Sequence, residues 1–406
     1  MIALILVLNA VTHDSRVLRE AETLATCGYD VDILGLHETG LPVEEHAQRY
    51  RVRRVKLVTR PLPKHKVVQV FKYVECLLRM TWRGVRLRPN VIHANDIACL
   101  PIGLIIAKLS GAKLIYDAHE YWPDVSESRY PQLVSRTTKI IESRLARKAD
   151  VVMTVCDSIA EQMARTSKTH TVQVIRNVPA LQPARSSQGS SPSPLHDRLS
   201  IARKAPIILH LGMVAPGRGV ETLLKAMQDV SASAVAILLG SDDVTCRVPG
   251  KSTYAQSLHA YVEQLGLAKR VYFVAPVIPT DVYRYAVGAT IGVAPIEPVC
   301  LNNRYSLPNK LFQYIQAGLP VVASDLPEMA KVVRQYEIGE VFPAGDSDRL
   351  AAAINSLLTD PVRLRLCQQN SAKAAQELNW NKEQAKLIAI YEQLKGMNSP
   401  VPQLHA

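Results

Sequence analysis

A glycine-rich turn in the second half of the sequence has residue types that suit a phosphate group. In "LHLGMVAPGRGVETLLKAM" an apolar run ends at Gly212, and Arg218 stands between Gly217 and Gly219 before a helical pattern. Glycines let the backbone approach a ligand closely, a helix N-terminus favours an anion, and a guanidinium pairs with phosphate oxygens. The turn is therefore a candidate phosphate site. An ordinary tight turn with a solvated arginine is the alternative.

The stretch "SLPNKLFQYIQAGLPVVASDLPEM", from Ser306 to Met329, combines a helix start with a cation. A proline is well placed at the helix start, and Asn309, Lys310 and Leu311 follow it in the first turn. First-turn amides beside a lysine suit a phosphate, and Gln313, one turn into the helix, could reach hydroxyl groups beside that phosphate. A capped amphipathic helix with a surface lysine is the alternative.

Three other strand ends carry small or polar residues. Gly240 ends "AVAILLG", where a ring or a sugar could approach, although a plain strand end is the favoured explanation. His119 follows "KLIYDA" directly, which suits contact with an anion or proton transfer, or simply a loop histidine. Asp14 and Arg16 follow the first strand, where an Asp helix cap is the simple explanation. No G-x-G-x-x-G stands there, which argues against a dehydrogenase.

Short continuous apolar runs alternate with helical patterns along the chain. "IALILVL", "DVDILGL", "KLIYDA", "IILHL" and "PVVAS" are typical of strands covered on both faces, as in a parallel sheet. The alternation predicts an α/β fold with two doubly wound, Rossmann-like domains. Ligands of such sheets bind outside the carboxyl ends of the strands, so we expect the two domains to face a shared cleft.

A Pro-, Ser- and Gly-rich stretch, "PALQPARSSQGSSPSPLHDRLS", interrupts the alternation and predicts a surface segment near a domain boundary. We predict an N-terminal domain over residues 1–180, a linker over 181–203 and a C-terminal domain over 204–380. Residues 381–406 are predicted to form a final helix, which could pack on either domain, and a tail.

Length and composition exclude several classes of protein. A chain of 406 residues that is 48% hydrophobic can bury a core in each of two domains. No apolar run reaches the roughly 18–20 residues of a membrane-spanning helix, and the N-terminal run is predicted to be a buried strand, not a signal peptide. The seven cysteines form no C-x-x-C pair, which argues against a zinc site or a disulfide framework and favours a reducing cytoplasm.

The net charge of +12 is concentrated in one segment. From Arg49 to Arg88 there are thirteen lysines and arginines and one acid, a local charge equal to that of the whole chain. Residues 67–85 have helical spacing, with an apolar stripe of Phe71, Val74, Leu78 and Trp82 bordered by Lys72, Arg79, Arg83 and Arg86. Such a helix suits an anionic membrane surface, so we predict a cytoplasmic protein that is peripheral on the inner face of the membrane. A solvated basic face is the alternative, and no motif supports nucleic-acid binding.

With these motifs the chain resembles glycosyltransferase family 4, whose members are retaining enzymes of the GT-B fold. The resemblance runs nearly end to end and includes "DSRVLREAETLATCGYDVDIL", "KLIYDAHEYWPD", "GMVAPGRGVETLLKAM" and the stretch from Ser306 to Glu328, which is the most specific. It implies transfer of a sugar from a nucleotide-diphosphate sugar, with uridine diphosphate (UDP) favoured, to a saccharide or lipid-linked acceptor in cell-envelope polysaccharide or glycolipid assembly. No D-x-D motif stands where the fold would need one, so neither a metal nor another cofactor is expected.

The resemblance also implies roles for the candidate residues. His119 would lie near the sugar and the phosphate, while Arg218 and Lys310 would stabilise the departing diphosphate, so these three are the catalytic candidates. Asp14 and Arg16 would lie on the acceptor side. The donor-binding candidates are Gly212, Gly217, Gly219, Gly240, Glu297, Ser306, Asn309, Leu311 and Gln313.

Three positions depart from the pattern of the family. Met213 stands where an arginine is usual, Gln313 where a glutamate binds the ribose, and Tyr305 where the other glutamate belongs, with Glu297 the nearest acid. An amide can still accept from one ribose hydroxyl and donate to another, but it loses charge assistance. Two alternatives to a transferase stay open: a protein that binds a nucleotide sugar or a partner transferase without catalysis, and a nucleotide-sugar 2-epimerase, which needs no acceptor.

Overall fold

Strands and helices alternate along the chain as the apolar runs predict. The structure is a computed structural model that describes residues 1–12, 14–63, 65–122, 132–167, 171–182, 194–240 and 254–396. The chain divides into two compact units. The N-terminal unit consists of Met1–Arg176 and the segment from Glu383 onward, and the C-terminal unit is Asn177–Lys382.

A mostly parallel sheet forms the centre of the N-terminal unit. Its eight described strands are β1 (Ile2–Leu6), β2 (Asp30–Leu36), β3 (Glu44–His46), β4 (Arg51–Val55), β5 (Val91–Asn95), β6 (Lys113–Ala118), β7 (Val151–Thr154) and β8 (Val172–Val174). Their order is β3-β4-β2-β1-β5-β6-β7-β8, and only the edge pair β3 and β4 is antiparallel. Residues 3–6 of the central strand β1 are 0% exposed, because helices cover the sheet on both faces.

Five described helices follow the strands of this sheet. They are α1 (Ser15–Thr26), α2 (Lys66–Arg86), α3 (Asp96–Ser110), α4 (Gln132–Ala146) and α5 (Asp157–Ser167). The carboxylate of Asp14 caps α1 by accepting a hydrogen bond of 3.3 Å from the amide of Val17. Gly111 ends α3 with φ 72°, a conformation that costs glycine little.

The C-terminal unit is built around a second sheet in which every described pair of strands is parallel. Its strands are β9 (Ile207–Leu211), β10 (Val235–Leu239), β11 (Val271–Val274), β12 (Ile291–Ala294), β13 (Val321–Ser324) and β14 (Gly339–Phe342). They are arranged in the order β11-β10-β9-β12-β13-β14. The order reverses at β9, so the end of this strand is the place where a doubly wound sheet binds its ligand.

Ten described helices begin in the C-terminal unit. They are α6 (Pro194–Arg198), α7 (Val220–Ala226), α8 (Tyr254–Gln264), α9 (Val282–Ala286), α10 (Leu301–Arg304), α11 (Asn309–Gln316), α12 (Pro327–Gln335), α13 (Ser347–Thr359), α14 (Pro361–Glu377) and α15 (Trp380–Gly396). Helix α15 continues past residue 383, where the chain is grouped with the N-terminal unit. Leu223 of α7, Leu238 of β10 and Ile354 of α13 belong to one buried apolar cluster, which fixes these helices on the sheet.

The predicted fold class is confirmed, because one sheet is mostly parallel, the other is parallel, and both are Rossmann-like. The units divide after Arg176 and Lys382, close to the predicted limits of 180 and 380. Part of the predicted linker is helical: α6 lies within it and buries Leu195, while residues 183–193 lie outside the described part of the chain. Among the helices that the structure describes, none has both the length and the apolar composition needed to cross a membrane.

Candidate functional site

Four glycines surround the carboxyl end of β9. Gly212, Gly217 and Gly219 have φ of 98°, 76° and 70°, in the left-handed region that glycine adopts without strain. A Cβ at Gly219 would lie 1.6 Å from the carbonyl oxygen of Pro295, and one at Gly240 would lie 1.7 Å from that of Gly212. The protein's own backbone therefore requires glycine at 219 and 240, and the predicted contact of Gly240 with a donor stays a prediction.

Open space remains beside Gly212. A Cβ added there would meet one described atom within 4 Å, the Cε of Lys310 at 3.8 Å. The neighbouring Met213, which stands where the family usually has an arginine, is 44% exposed. A ligand group thus has room above Gly212, against the side chain of Lys310.

A buried lysine and a buried histidine form a pair at this end of β9. Lys310 is 8% exposed and His210 is 0% exposed, and the Nζ of Lys310 lies 2.9 Å from the Nε2 of His210. One of these two nitrogens must offer a lone pair to the other, so they cannot both be protonated. Burial and the charge of Arg218 lower the pKa of Lys310, and burial followed by the charges of Lys310 and Arg218 lowers the pKa of His210.

No carboxylate of the described residues neutralises the charge at this site. The pKa of Lys310 responds to burial and to Arg218, with no acidic residue among its causes. Among the described residues, neither Lys310 nor Arg218 has a carboxylate within ion-pairing distance. Two basic side chains without a described counter-ion, beside open space at a strand end, form a site that an anion would stabilise.

Polar contacts fix the turn that carries Arg218. The amide of Glu297 donates to the carbonyl of Gly217 (3.1 Å), and its carboxylate accepts a hydrogen bond of 2.8 Å from the hydroxyl of Thr222. The Nδ2 of Asn303 lies 3.2 Å from the carbonyl of Gly217 and 3.1 Å from that of Glu297. Glu297 therefore stabilises the turn, and its predicted contact with the donor stays a prediction.

Helix α11 is fixed to the sheet through Tyr314. Its hydroxyl accepts a hydrogen bond of 2.8 Å from the amide of Leu211 and lies 3.0 and 3.1 Å from the carbonyl oxygens of Leu209 and Val293. Its ring fills the space that a Cβ at Gly292 would occupy, 2.3 Å away. These contacts place the first turn of α11, and with it Lys310, at the end of β9.

The remaining donor-binding candidates lie on or beside this helix. Asn309 is exposed, Gln313 is half-buried, and the side chain of Leu311 is fully buried, so Leu311 could meet a ligand only through its backbone. The hydroxyl oxygen of Ser306 is buried without a hydrogen-bond partner among the described atoms. A buried hydroxyl without a partner is unfavourable, and a bound ligand could supply one.

In the N-terminal unit, His119 lies at the end of β6 in an acidic environment. Its Nε2 lies 3.0 Å from the carboxylate of Asp117, and its amide donates to Asp96 at 3.1 Å. Burial alone would lower the pKa of His119, but Asp117 and Asp96 outweigh it and raise the pKa to about 9. His119, which is 19% exposed, is therefore a cation near neutral pH.

Arg16 is buried, whereas direct contact with the acceptor substrate would require it to be exposed. It is 1% exposed, its Nε lies 2.9 Å from Asp117 and 3.0 Å from Glu20, and its Nη1 donates to the carbonyl of Ile175 at 2.7 Å. The burial of Arg16 fits a role in holding Asp117, and through it His119, better than the predicted contact with the acceptor substrate. Asp14 caps α1 and accepts a hydrogen bond of 2.8 Å from the side chain of Asn9. Its predicted place beside the acceptor substrate stays a prediction.

Glu20, His93 and Asp117 have ligand atoms within 4.8 Å of one another, close enough for a metal ion. Arg16 supplies a positive charge between the two carboxylates, so these residues also form a buried ion-pair cluster. His93 also lies 3.0 Å from the hydroxyl of Tyr391 in α15. We call Arg16, Glu20, His93 and Asp117 the buried charge cluster.

Sequence reasoning missed His93 and His210, and it missed the role of Asp117. Each is a titratable residue inside a continuous apolar strand, β5, β9 and β6 respectively. Such a residue costs free energy unless it is paired, so its presence in a buried strand was the available signal. Tyr314, Thr222 and Asn303 gave no comparable signal.

Five arginines of the basic segment pair with acids that lie outside it. Arg51 and Arg53 approach Asp32 at 2.8 and 2.7 Å, and both lower the pKa of that carboxyl even though burial opposes them. Further pairs are Arg49–Glu22, Arg53–Glu44, Arg54–Glu45 and Arg60–Glu38. The local charge excess in the sequence is therefore reduced in the folded protein.

The predicted amphipathic helix is present as α2, with its apolar stripe in solvent. Phe71, Val74, Leu78 and Trp82 are 63%, 46%, 62% and 56% exposed, and Val67 and Val70 extend the stripe. The predicted border of cations is weaker. Lys72 donates to the carbonyls of Arg60 and Leu62, Arg83 donates to the carbonyl of Arg54, Arg79 pairs with Glu75, and Arg86 lies 3.8 Å over the ring of Trp82. The apolar surface is thus the stronger feature of α2.

Comparison with known proteins shows which family the chain is similar to. Residues 13–177 match the family model described as "Glycosyl transferase 4-like domain", and residues 205–360 match "Glycosyl transferases group 1". A D-inositol 3-phosphate glycosyltransferase of Rhodococcus opacus (strain B4) is 22% identical over 404 residues, 92% of this chain and 84% of that protein. A phosphatidyl-myo-inositol mannosyltransferase of Mycobacterium leprae is 35% identical over 91 residues, 22% of this chain and 24% of that protein.

Solved structures share the fold over almost the whole chain. Sucrose-phosphate synthase from Thermosynechococcus elongatus superposes with a TM-score of 0.78 at 22% identity, covering 98% of this chain and all of that one. HepE of Anabaena in complex with UDP-glucose has a TM-score of 0.72 at 17% identity, covering 96% of this chain and 99% of that one. At these identities the likeness shows the fold alone, which is the GT-B fold of glycosyltransferases.

The two parallel-sheet units and these matches define the chain as a glycosyltransferase of the GT-B fold. More narrowly, it belongs to the family 4 kind of glycosyltransferases, because the two family models together match most of its length. The resemblance predicted from the sequence motifs is confirmed.

Proposed function

We propose that this glycosyltransferase takes its sugar from a UDP-linked donor whose diphosphate binds above Gly212, between Lys310 and Arg218. The observation that carries the proposal is the buried Lys310, which has no described carboxylate beside it and faces open space at the end of β9. UDP is favoured over other nucleotides because HepE, which shares the fold, was solved with UDP-glucose. Ser306, Asn309, Gln313 and the backbone of Leu311, which lie on or beside α11, complete the proposed donor site.

The proposed chemistry is stabilisation of the leaving group. Breaking the bond between the sugar and the diphosphate places negative charge on a phosphate oxygen, and Lys310 and Arg218 hold that charge in a partly dry site. We propose that His119, as a cation, is the catalytic residue of the N-terminal unit. Transfer of a hexosyl group with retention, without a metal or another cofactor, is the mechanism we propose.

We propose a phosphorylated or lipid-linked saccharide as the acceptor, in cell-envelope polysaccharide or glycolipid assembly. Two relatives support this class by name, one acting on D-inositol 3-phosphate and one on phosphatidyl-myo-inositol. The exposed stripe on α2 supports a peripheral position on an anionic membrane, because apolar side chains beside arginine favour the interface of such a bilayer.

A direct test of the donor proposal is the affinity of UDP for the Arg218→Ala variant, measured by calorimetry. Losing a charge-assisted phosphate contact should weaken binding by about 1.5–3 kcal/mol. Arg203→Ala is the matched control, because Arg203 lies in the same unit, is 68% exposed and pairs only loosely with Asp197 at 3.4 Å. Unchanged affinity in Arg218→Ala would remove Arg218 from the donor site.

The catalytic proposal is tested by supplying UDP-glucose with and without an acceptor and following the anomeric product by NMR. An α-linked product supports retention. UDP binding without any product would favour the binding-protein alternative, and conversion of the donor alone would favour the epimerase.

Changing Gln313 to Glu should keep the fold and bind UDP at least as tightly. Ribose hydroxyls can both donate to a carboxylate, which adds the charge assistance that an amide lacks. UDP affinity and melting temperature are the measurements, with the exposed Gln335→Glu as control. A tenfold loss of UDP affinity at unchanged melting temperature would mean that Gln313 meets something other than a ribose.

Changing Phe71, Leu78 and Trp82 together to Gln should abolish binding to vesicles that contain anionic lipid. The wild type should sediment with such vesicles at low salt, and high salt should weaken the charge contribution by screening. The stripe is exposed, so the variant should fold. The control is Val362 and Leu366 changed to Gln, an exposed apolar pair in the C-terminal unit. If the wild type stays in the supernatant, the membrane proposal is wrong.

A further inference from the structure

A cavity of about 310 Å³ lies in the N-terminal unit on the inner face of α2. Its walls are the chain after β1, the end of β2, the loop after β4, and α2 itself, which contributes Gln69, Lys72, Tyr73 and Cys76. These four positions follow the i, i+3, i+4, i+7 spacing of one helix face, turned away from the exposed stripe. The cavity therefore lies at the carboxyl ends of parallel strands, where α/β sheets bind ligands.

A second cavity, of about 360 Å³, shares two wall residues with the first, Leu57 and Arg60. We call the two together the α2 cavity. The second part adds Lys56, His37 and Thr39 to the lining. The combined space is large enough for a sugar-sized ligand with a charged substituent.

The charged side chains that line the α2 cavity are basic. Arg60, Lys56 and Lys72 line it with His37, and no described carboxylate does. Gln69 and Asn9 add amide groups that can bond hydroxyls, and Leu8 and Leu57 add an apolar wall. Cations, amides and a small apolar surface suit a hydroxylated ligand with a phosphate group.

The basic wall is held in place before any ligand arrives. Lys72 donates hydrogen bonds of 3.1 and 2.6 Å to the carbonyls of Arg60 and Leu62. The carboxylate of Glu75 accepts hydrogen bonds of 2.8 Å from the amides of Val58 and Thr59 and one of 2.6 Å from the Thr59 hydroxyl. The loop after β4 is thus tied to α2 on both sides of Arg60, so a ligand would not have to order it.

Arg60 keeps donors available inside this frame. Its Nη1 donates to the carbonyl of His37, and its Nη2 lies 3.4 Å from the carboxylate of Glu38. A guanidinium has five N–H donors, and its side chain is 44% exposed. A phosphate can therefore bind Arg60 without displacing either contact.

We propose that the α2 cavity binds the phosphate group of the acceptor, which is a phosphorylated polyol or sugar, either free or as a lipid head group. The inference rests on the proposed transferase function and specifies the acceptor side of it. Arg60 and Lys56 contact the phosphate, Gln69 and Asn9 face the hydroxylated part, and Lys72 positions the loop that carries Arg60.

The test measures binding to the full chain by calorimetry, with glucose 6-phosphate as the free probe and glucose as its phosphate-free match. Dihexanoyl phosphatidylglycerol, below its micelle concentration, is the lipid probe. At least one phosphate probe should bind, and Arg60→Gln combined with Lys56→Gln should weaken it by about tenfold or more. The control Arg165→Gln changes an arginine of the same unit that is 74% exposed and pairs with one carboxylate, Glu161, at 3.3 Å.

Titration of UDP into the same samples separates this inference from the donor proposal. UDP should bind the Arg60 and Lys56 variant as it binds the wild type, whereas Lys310→Met should leave the phosphate probe unaffected. Failure of both phosphate probes, or equal binding by the variant and the wild type, overturns the inference while the donor site stands. If a phosphate probe binds the wild type and UDP does not, the donor proposal is overturned while this inference stands. Stronger binding of the lipid probe supports a head group as the source of the phosphate, and stronger binding of glucose 6-phosphate supports a free acceptor.

Discussion

Arg16→Met should destabilise the protein by about 3–5 kcal/mol, the range expected when one partner of a buried ion pair is removed. Arg16 is 1% exposed, and its guanidinium lies between the fully buried carboxylates of Glu20 and Asp117. Methionine fills similar space but leaves Glu20 without its arginine and leaves Asp117 with His119 as its remaining close cation. Burial already raises the pKa of Glu20, and without Arg16 that carboxyl would take up a proton still more readily.

Urea unfolding at constant pH measures this effect. Arg165→Met is the matched control, because both arginines pair with a glutamate four residues away, yet Arg165 is 74% exposed and should cost under about 1 kcal/mol. Adding Glu20→Gln to Arg16→Met should recover part of the loss, since one uncompensated charge disappears. A loss for Arg16→Met no larger than that of the control would show that the buried charge cluster does not depend on Arg16.

Lys310→Met should weaken UDP binding by about 10- to 100-fold and abolish a proton uptake that accompanies binding in the wild type. Burial and Arg218 lower the pKa of Lys310 in the free protein, so part of the population is neutral in alkaline solution. A diphosphate beside it favours the charged form and raises that pKa, so binding draws a proton from the buffer. UDP affinity should therefore fall as the pH rises.

Calorimetry at pH 8 in two buffers of different ionisation enthalpy measures the proton uptake. At this pH the terminal phosphate, with a second pKa of about 6, is already ionised, so the proton belongs to the protein. Lys269→Met, an exposed lysine of the same unit, is the control. Equal proton uptake in Lys310→Met and in the wild type would assign the proton to another group.

The fold was predictable because its signals are local. Continuous apolar runs such as residues 2–6 and 207–211 indicate strands buried on both faces, and both strands are central in their sheets. Helix α2 was also predicted, because its apolar stripe recurs at helical spacing. Contacts between residues far apart in the chain were not predictable: the pairing of Arg16 with Asp117 spans 101 residues and that of His210 with Lys310 spans 100.

The candidate site shows the same division. Gly212, Arg218 and Lys310 could be named as candidates from the sequence, because turns and helix starts have local signatures. The reason why position 240 needs glycine could not be predicted, because a side chain there would collide with the backbone of Gly212 beside the neighbouring strand. Counting charges along the segment around α2 was misleading, because acids such as Asp32 and Glu44 come from strands that pair with β4 in the folded protein.

A crystal structure of the protein with UDP bound would show directly whether the diphosphate lies at the end of β9. We expect phosphate oxygens above Gly212, at hydrogen-bond distances of about 2.7–2.9 Å from the Nζ of Lys310 and the guanidinium of Arg218. We also expect the ribose beside Gln313. A nucleotide bound elsewhere, or a diphosphate in contact with neither Lys310 nor Arg218, would show that the proposed donor site is wrong.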